Sequence, residues 1–148
     1  MARLRQFLPW VLAVYIAYIF VWYLQFKFTG NEGSVWLFAI LTDWLGAHGY
    51  EKVMRIGTGS AELLASVLLL VPATQVVGAA LAAGIMAGAI FFHLVSPLGI
   101  DPYQDGGELF REAVTVFVFA LAILALRREQ AYALIRHIPP LARLMRLA

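Results

Sequence analysis

The chain has no cysteine. That excludes disulfides, thiolate metal sites and a thiol nucleophile, so any redox chemistry has to pass through a bound cofactor or a partner. Charge is scarce as well: charged residues make up 14% of the 148 positions and hydrophobic residues 62%, with a mean hydropathy of +0.81. A soluble core this apolar lies far from the averages of globular domains. No Gly-rich phosphate loop, nucleophile elbow or metalloprotease motif occurs. The apolar part offers one histidine and no closely spaced second ligand, so neither zinc nor haem is expected and no metal site is assigned. A formal charge of +2 could suit nucleic acid, but the basic residues flank apolar segments and form no soluble basic face, so no nucleic-acid partner is expected.

What is present is a series of apolar runs. Residues 7–26 carry no charge, which as helix is about 30 Å, the thickness of the hydrocarbon core. Arg3 and Arg5 precede this run as they would a signal peptide, but its length and the lack of a small-x-small site make it a retained anchor. Pro9 falls in its opening turn, Trp22 and Tyr23 suit an aromatic belt, and Lys27 marks the exit. After the turn TGNEG, residues 35–45 are too short to span and read as an interfacial helix, either a lid packed over the bundle or a gate. Further spans are expected at 52–72, 76–96 and 108–126, giving with 7–27 a four-span domain over residues 1–128. Residues 129–148, broken at Pro139 and Pro140 and carrying Arg136, His137, Arg143 and Arg146, form an amphipathic basic tail suited to an anionic membrane surface. The fold class is therefore all-α: an integral membrane four-helix bundle with an outer interfacial helix. Arg3, Arg5, Arg127, Arg128, Arg136, Arg143 and Arg146 fall on one side and Lys27, Lys52, Arg55 and Arg111 on the other, which puts both termini in the cytoplasm.

Polar residues inside such a bundle are costly and tend to face its interior. Glu62 lies about mid-span, and Arg55, Gly59 and Glu62 fall at i, i+4 and i+7, one helix face, so a group from another helix could bridge arginine and carboxylate. Glu108, Arg111, Glu112 and Thr115 share a face in the last span. Helical arithmetic brings Lys27, Arg55, His93, Glu108, Arg111 and Glu112 to similar depth on the outer side, with Glu62 below them. In one pocket, Glu62 and His93 are the candidates for proton transfer, since imidazole titrates near neutrality. Lys27, Arg55 and Arg111 could hold an anionic or quinone-like headgroup. The plainer readings are snorkelling or surface pairing for Lys27, Arg111 and Glu112, and a hydrogen-bonded packing role for His93. Gly84 and Gly88 form a small-xxx-small pair, read first as close packing within the bundle and second as a homodimer contact.

The segments FKF (26–28), RIGTGSAELLASVLLLVP (55–72), GAIFFHLVSPLGI (88–100) and DGGELFREA (105–113) resemble the DoxX-like family of small four-helix bacterial membrane proteins. The resemblance runs over residues 18–128 and leaves the basic tail outside. It implies a multi-pass protein of the bacterial inner membrane, with Lys27, Glu62, His93, Asp105 and Glu108 as the matched polar positions. Some members of that family are membrane subunits of a thiosulfate:quinone oxidoreductase, and others are linked to oxidative-stress or thiol-redox complexes.

The leading expectation is a membrane subunit or binder tied to respiratory or oxidative-stress redox chemistry, holding a quinone or a small anionic solute. Any catalysis would be that of a non-autonomous subunit of a quinone-linked oxidoreductase. The expected partners are the lipid bilayer and a membrane or peripheral protein, or a second copy of the chain. The alternatives are a non-catalytic assembly factor docking another membrane protein, and a small solute or proton carrier. Catalytic candidates are Glu62 and His93; ligand-binding candidates are Lys27, Arg55, Asp105, Glu108, Arg111 and Glu112.

Overall fold

The computed structural model describes residues 2–136, and within them every regular element is a helix. In chain order these are α1 (Ala2–Thr29), α2 (Glu32–Trp44), α3 (Glu51–Leu69), α4 (Gln75–Val95), α5 (Glu108–Leu126) and α6 (Arg128–Arg136). Three stretches, Phe7–Thr29, Gln75–Val95 and Glu108–Leu126, are long and apolar enough to cross a membrane. The tail from residue 137 onward, with His137, Arg143, Arg146 and the Pro139–Pro140 break, lies outside the described residues.

Helix α1 packs against α3 and α5, α4 packs against the same two, and α2 lies mainly on α3. The shared core is built from Ile16 and Phe20 of α1, Ala65 and Leu69 of α3, Ala79 and Ala82 of α4, and Val116, Ala120 and Ile123 of α5. A second, smaller cluster joins Leu37, Phe38 and Leu41 of α2 to Leu98, with Met54, Phe92 and Leu109 packed around it. So α2 acts as a cross-brace over one end of the longer helices.

Local sequence explains the joints. The Asn31 side chain accepts a hydrogen bond from the Gly33 N–H (3.1 Å) and caps α2. This is why the helix starts earlier than the apolar run at 35–45 suggests. At the α3–α4 turn the Gln75 amide, fully buried, donates to the Leu69 carbonyl (3.2 Å). The Thr74 hydroxyl donates to the Leu68 carbonyl (3.0 Å). Gln130 of α6 then donates to the carbonyls of Pro72 and Ala73, both at 2.9 Å, tying α6 to that turn.

Two sequence expectations need correction. Pro9 is not in an opening turn: α1 already starts at Ala2, and the Pro9 ring is fully buried inside the helix. Proline is tolerated inside such apolar helices because neighbouring groups and local adjustment take up the lost N–H bond. Among the described residues Gly84 and Gly88 do not close a helix contact, since a Cβ at either would meet nothing within 4 Å. The close approach is at Gly78, where a Cβ would stand 2.5 Å from the Leu69 amide nitrogen and 2.8 Å from the Leu68 carbonyl carbon.

Candidate functional site

The buried face of α3 carries Arg55, Gly59, Glu62, Ala65, Ser66 and Leu69. Its charged members, Arg55 and Glu62, are met from α1. The Lys27 ammonium lies 2.9 Å from Glu62 Oε2, with side-chain exposures of 13% and 5%. At that distance charge attraction and a hydrogen bond from the ammonium join the pair. The backbone carbonyl of the same Lys27 accepts a hydrogen bond from the Arg55 guanidinium, whose Nε donates to Glu51. Lys27 is thus the bridge between the arginine and the carboxylate, through two different atoms. It does not snorkel outward: a buried carboxylate is far cheaper with a cation beside it than without one. Gly30, at φ +71°, turns the chain out of α1 with its Cα against the Arg55 guanidinium, where a Cβ would stand 3.6 Å from Nη1.

Lys27 and Glu62 stand in the wall of a cavity of about 750 Å³. Phe20 and Ile19 of α1, Phe38 and Leu41 of α2, Met86 and Phe92 of α4, and Leu109 of α5 give it a largely apolar lining. Its polar lining consists of Tyr23, Lys27, Asn31, Ser34, Thr58, Glu62, His93, Tyr103, Asp105 and Glu112. Tyr23 adds a ring 5.5 Å from the Lys27 ammonium and a hydroxyl that interacts with Glu112. Glu112 Oε2 is enclosed and has no hydrogen-bond partner among the described residues.

His93 is buried at the end of α4. Its Nδ1 lies 2.6 Å from the Gly99 carbonyl oxygen. A carbonyl only accepts, so Nδ1 carries the proton and Nε2 of the neutral ring is an acceptor. The ring also meets Phe110 edge-on, with centroids 5.5 Å apart. His93 therefore holds the loop over residues 97–107 against the cavity it lines. Within that loop Asp101 Oδ1 accepts the Asp105 N–H (3.0 Å), and Asp105 Oδ1 accepts the Glu108 N–H (2.9 Å) at the start of α5. The Tyr103 hydroxyl donates to the Gly33 carbonyl (2.9 Å) and pins the loop to α2.

Of the residues singled out from sequence, Lys27, Glu62, His93, Asp105 and Glu112 line the cavity. Arg55 is committed to Glu51 and the Lys27 carbonyl. Glu108 and Arg111 are exposed, because α5 turns Leu109, Glu112 and Ala113 toward the cavity instead. Tyr23 and Tyr103 are additions. Tyr23 is four residues before Lys27, so the two share a helix face, and it turns inward while its neighbour Trp22 is 51% exposed. Tyr103 gave no signal, since its placement depends on a loop fold. Among the described residues no three His, Asp or Glu side chains converge on a point that could hold a metal ion.

Comparisons with protein-family models, with curated proteins and with solved structures gave no match.

Proposed function

We propose that this is a four-span integral membrane protein of the DoxX-like kind, with both termini cytoplasmic, that binds a quinone or quinol as a membrane subunit or binder in redox chemistry. Helix α3 is the fourth span. Its mean hydropathy is lowered by Arg55 and Glu62, which point inward, while Val53, Leu63, Leu64 and Val67 face outward. An inward polar and outward apolar helix is what a bundle in lipid requires, since charged side chains there face the interior.

The observation that carries the binding reading is the cavity: a largely apolar space of about 750 Å³ with the Lys27–Glu62 pair in its wall. Small-molecule sites are of this kind, roughly 300–1,000 Å³, apolar, with few polar groups fixing orientation. The balance of charge favours the quinone class over an anionic solute. Glu62, Glu112 and Asp105 outweigh Lys27, the one lysine or arginine among the described residues of the lining. A quinol can donate its hydroxyls to Glu62 or Glu112, and a quinone carbonyl can accept from Lys27, whereas a free anion would meet the carboxylates.

The test is equilibrium binding of decylubiquinol to the protein reconstituted in lipid nanodiscs. Saturable binding by the parent chain, weakened about tenfold or more in Glu62→Gln, is the expected result. Absence of binding, or binding indifferent to Glu62→Gln, would overturn the reading.

A further inference from the structure

Helices α3 and α4 leave their shared turn in close contact and then part. Near the turn Gly78 sits on the backbone of Leu68 and Leu69. At the other end α2 bridges them: Leu37, Phe38 and Leu41 pack with Met54 of α3 and Phe92 of α4, and Trp44 meets the rings of Phe91 and Phe92. Between these two closures the facing residues are Gly57 and Ala61 on α3 and Gly84 and Gly88 on α4, all lining the cavity. Among the described residues a Cβ at Gly57, Gly84 or Gly88 would meet nothing within 4 Å, and Gly57 and Gly84 are exposed. Gly84 lies midway along a helix suited to crossing a membrane.

We propose that these glycines hold open a side window from the bilayer into the cavity, through which a single linear apolar tail enters while its headgroup lodges at Lys27 and Glu62. The inference rests on the binding function proposed above and adds the route and the class of ligand: a single-tailed amphiphile with a small hydrogen-bonding head. Independent support comes from the inner wall. Glu62, with its side chain 5% exposed, is met by the Lys27 ammonium at 2.9 Å and faces the cavity, and beside them the enclosed Glu112 Oε2 lacks a hydrogen-bond partner among the described residues. Glu112 Oε2 is an acceptor left for a donor from outside the chain, because an enclosed acceptor without a partner forfeits the hydrogen bond it would make in water. A second helix laid over the glycines would cover the window without placing a donor at the enclosed Glu112 Oε2, so a slender chain carrying a hydrogen-bonding head is the fitting occupant.

Length of tail is the variable that reads the window. Two probes with one headgroup, decylubiquinol and the tail-less ubiquinol-0, are titrated against the protein in nanodiscs of phosphatidylethanolamine and phosphatidylglycerol. The proteins compared are the parent, Glu62→Gln, the double variant Gly84→Leu/Gly88→Leu, and Gly57→Leu from the opposite rim. The leucine variants have room for their side chains in the gap, and helical circular dichroism checks that they fold. The expected result is that both sets of leucines lower the ratio of tailed to tail-less affinity by about tenfold, whereas Glu62→Gln weakens both probes. An unchanged ratio overturns the window, even if both affinities fall together. So does loss of a second copy of the chain in native mass spectrometry of the leucine variants with the ratio intact, which would make the glycines a helix contact. Failure of the parent to bind either probe would instead overturn the binding function itself.

Discussion

Helix α4 uses the same residue type in opposite ways along its length. At Gly78 a Cβ would stand 3.0 Å or less from backbone atoms of Ala65, Leu68 and Leu69, and the surrounding Ala65, Leu69, Ala79 and Ala82 are fully buried. At Gly84 and Gly88 a Cβ would meet nothing within 4 Å among the described residues. The first half of the α3–α4 pair is closed backbone to backbone. The second half is held apart by α2 and by the side chains around the buried pair, and the glycines there lower the walls of a cavity. A small-xxx-small pattern therefore names a place where something slender can come close to a helix, and only the neighbours decide whether that is another helix.

The largest effect should come from the open half. Lys27→Met leaves Glu62 buried without its cation, and breaking a buried pair in this way costs about 3–5 kcal/mol. Replacing both, as Lys27→Met/Glu62→Leu, should recover most of that loss. Unfolding of the detergent-solubilised protein by denaturant titration measures both. Should the double variant be as unstable as the single one, the pair would matter for more than its mutual charge.

The closed half gives the next effect. Gly78→Ala forces a methyl into backbone and should destabilise by about 1–3 kcal/mol, the usual cost of overpacking. Gly84→Ala should fall within about 0.5 kcal/mol of the parent or stabilise it slightly, since glycine inside a helix costs about 0.5–1 kcal/mol relative to alanine. Equal losses from the two substitutions in the same unfolding titration would break the contrast between the halves.

The sequence carried the helices because each long apolar run ends at a turn with its own chemistry: TGNEG after α1, the Pro72 turn after α3, and the Gly/Pro-rich loop before α5. It also carried the inward face of α3, since Arg55, Gly59 and Glu62 recur at helical spacing. The rotation of each helix about its own axis was not legible, and that rotation decides which side chains meet. For this reason Lys27 could be placed at the right depth without being recognised as the partner of Glu62. For the same reason helical spacing groups Glu108 and Arg111 with Glu112, although of the three Glu112 alone turns to the cavity. Tyr103 depends on a loop whose path follows from Gly99, Gly106 and Gly107 at positive φ, which no periodicity reports.

That loop supplies the smaller effects, and they bear on the open half alone. Tyr103 has its hydroxyl pKa raised, first by desolvation and then by the charge of Asp105. A phenol whose folded value is raised contributes stability that is full below its ordinary value and is lost as pH climbs toward the folded one. Its bond to the Gly33 carbonyl is a neutral hydrogen bond, so Tyr103→Phe should cost about 0.5–1.5 kcal/mol at neutral pH. The variant should also lose the extra weakening of the parent in alkali. Hydrogen exchange should show the opening at the start of α2 and in residues 97–107, with the amides around Gly78 unmoved.

Asp101 is the acid counterpart and the smallest case, because it is exposed. Its pKa is lowered chiefly by the Gly107 backbone N–H, with further help from the amides of Asp105 and Gly106 and the Asp105 side chain. A carboxylate held below its ordinary value stabilises the fold fully above that value, and the contribution drains away as pH falls through it toward the folded one. Protonation weakens the acceptor that organises the turn, and Asp105 is then less well placed to cap α5 through the Glu108 N–H. In the parent, exchange at the amides of Asp105 and Glu108 should therefore rise, beyond the intrinsic chemical rate, as pH is lowered through the carboxylate range. In Asp101→Asn the same amides should be less protected at neutral pH and should show no such acid step. An acid step that survives Asp101→Asn would assign it to another carboxylate, with Asp105 the nearest candidate, and would move control of this loop from its first turn to the cap of α5.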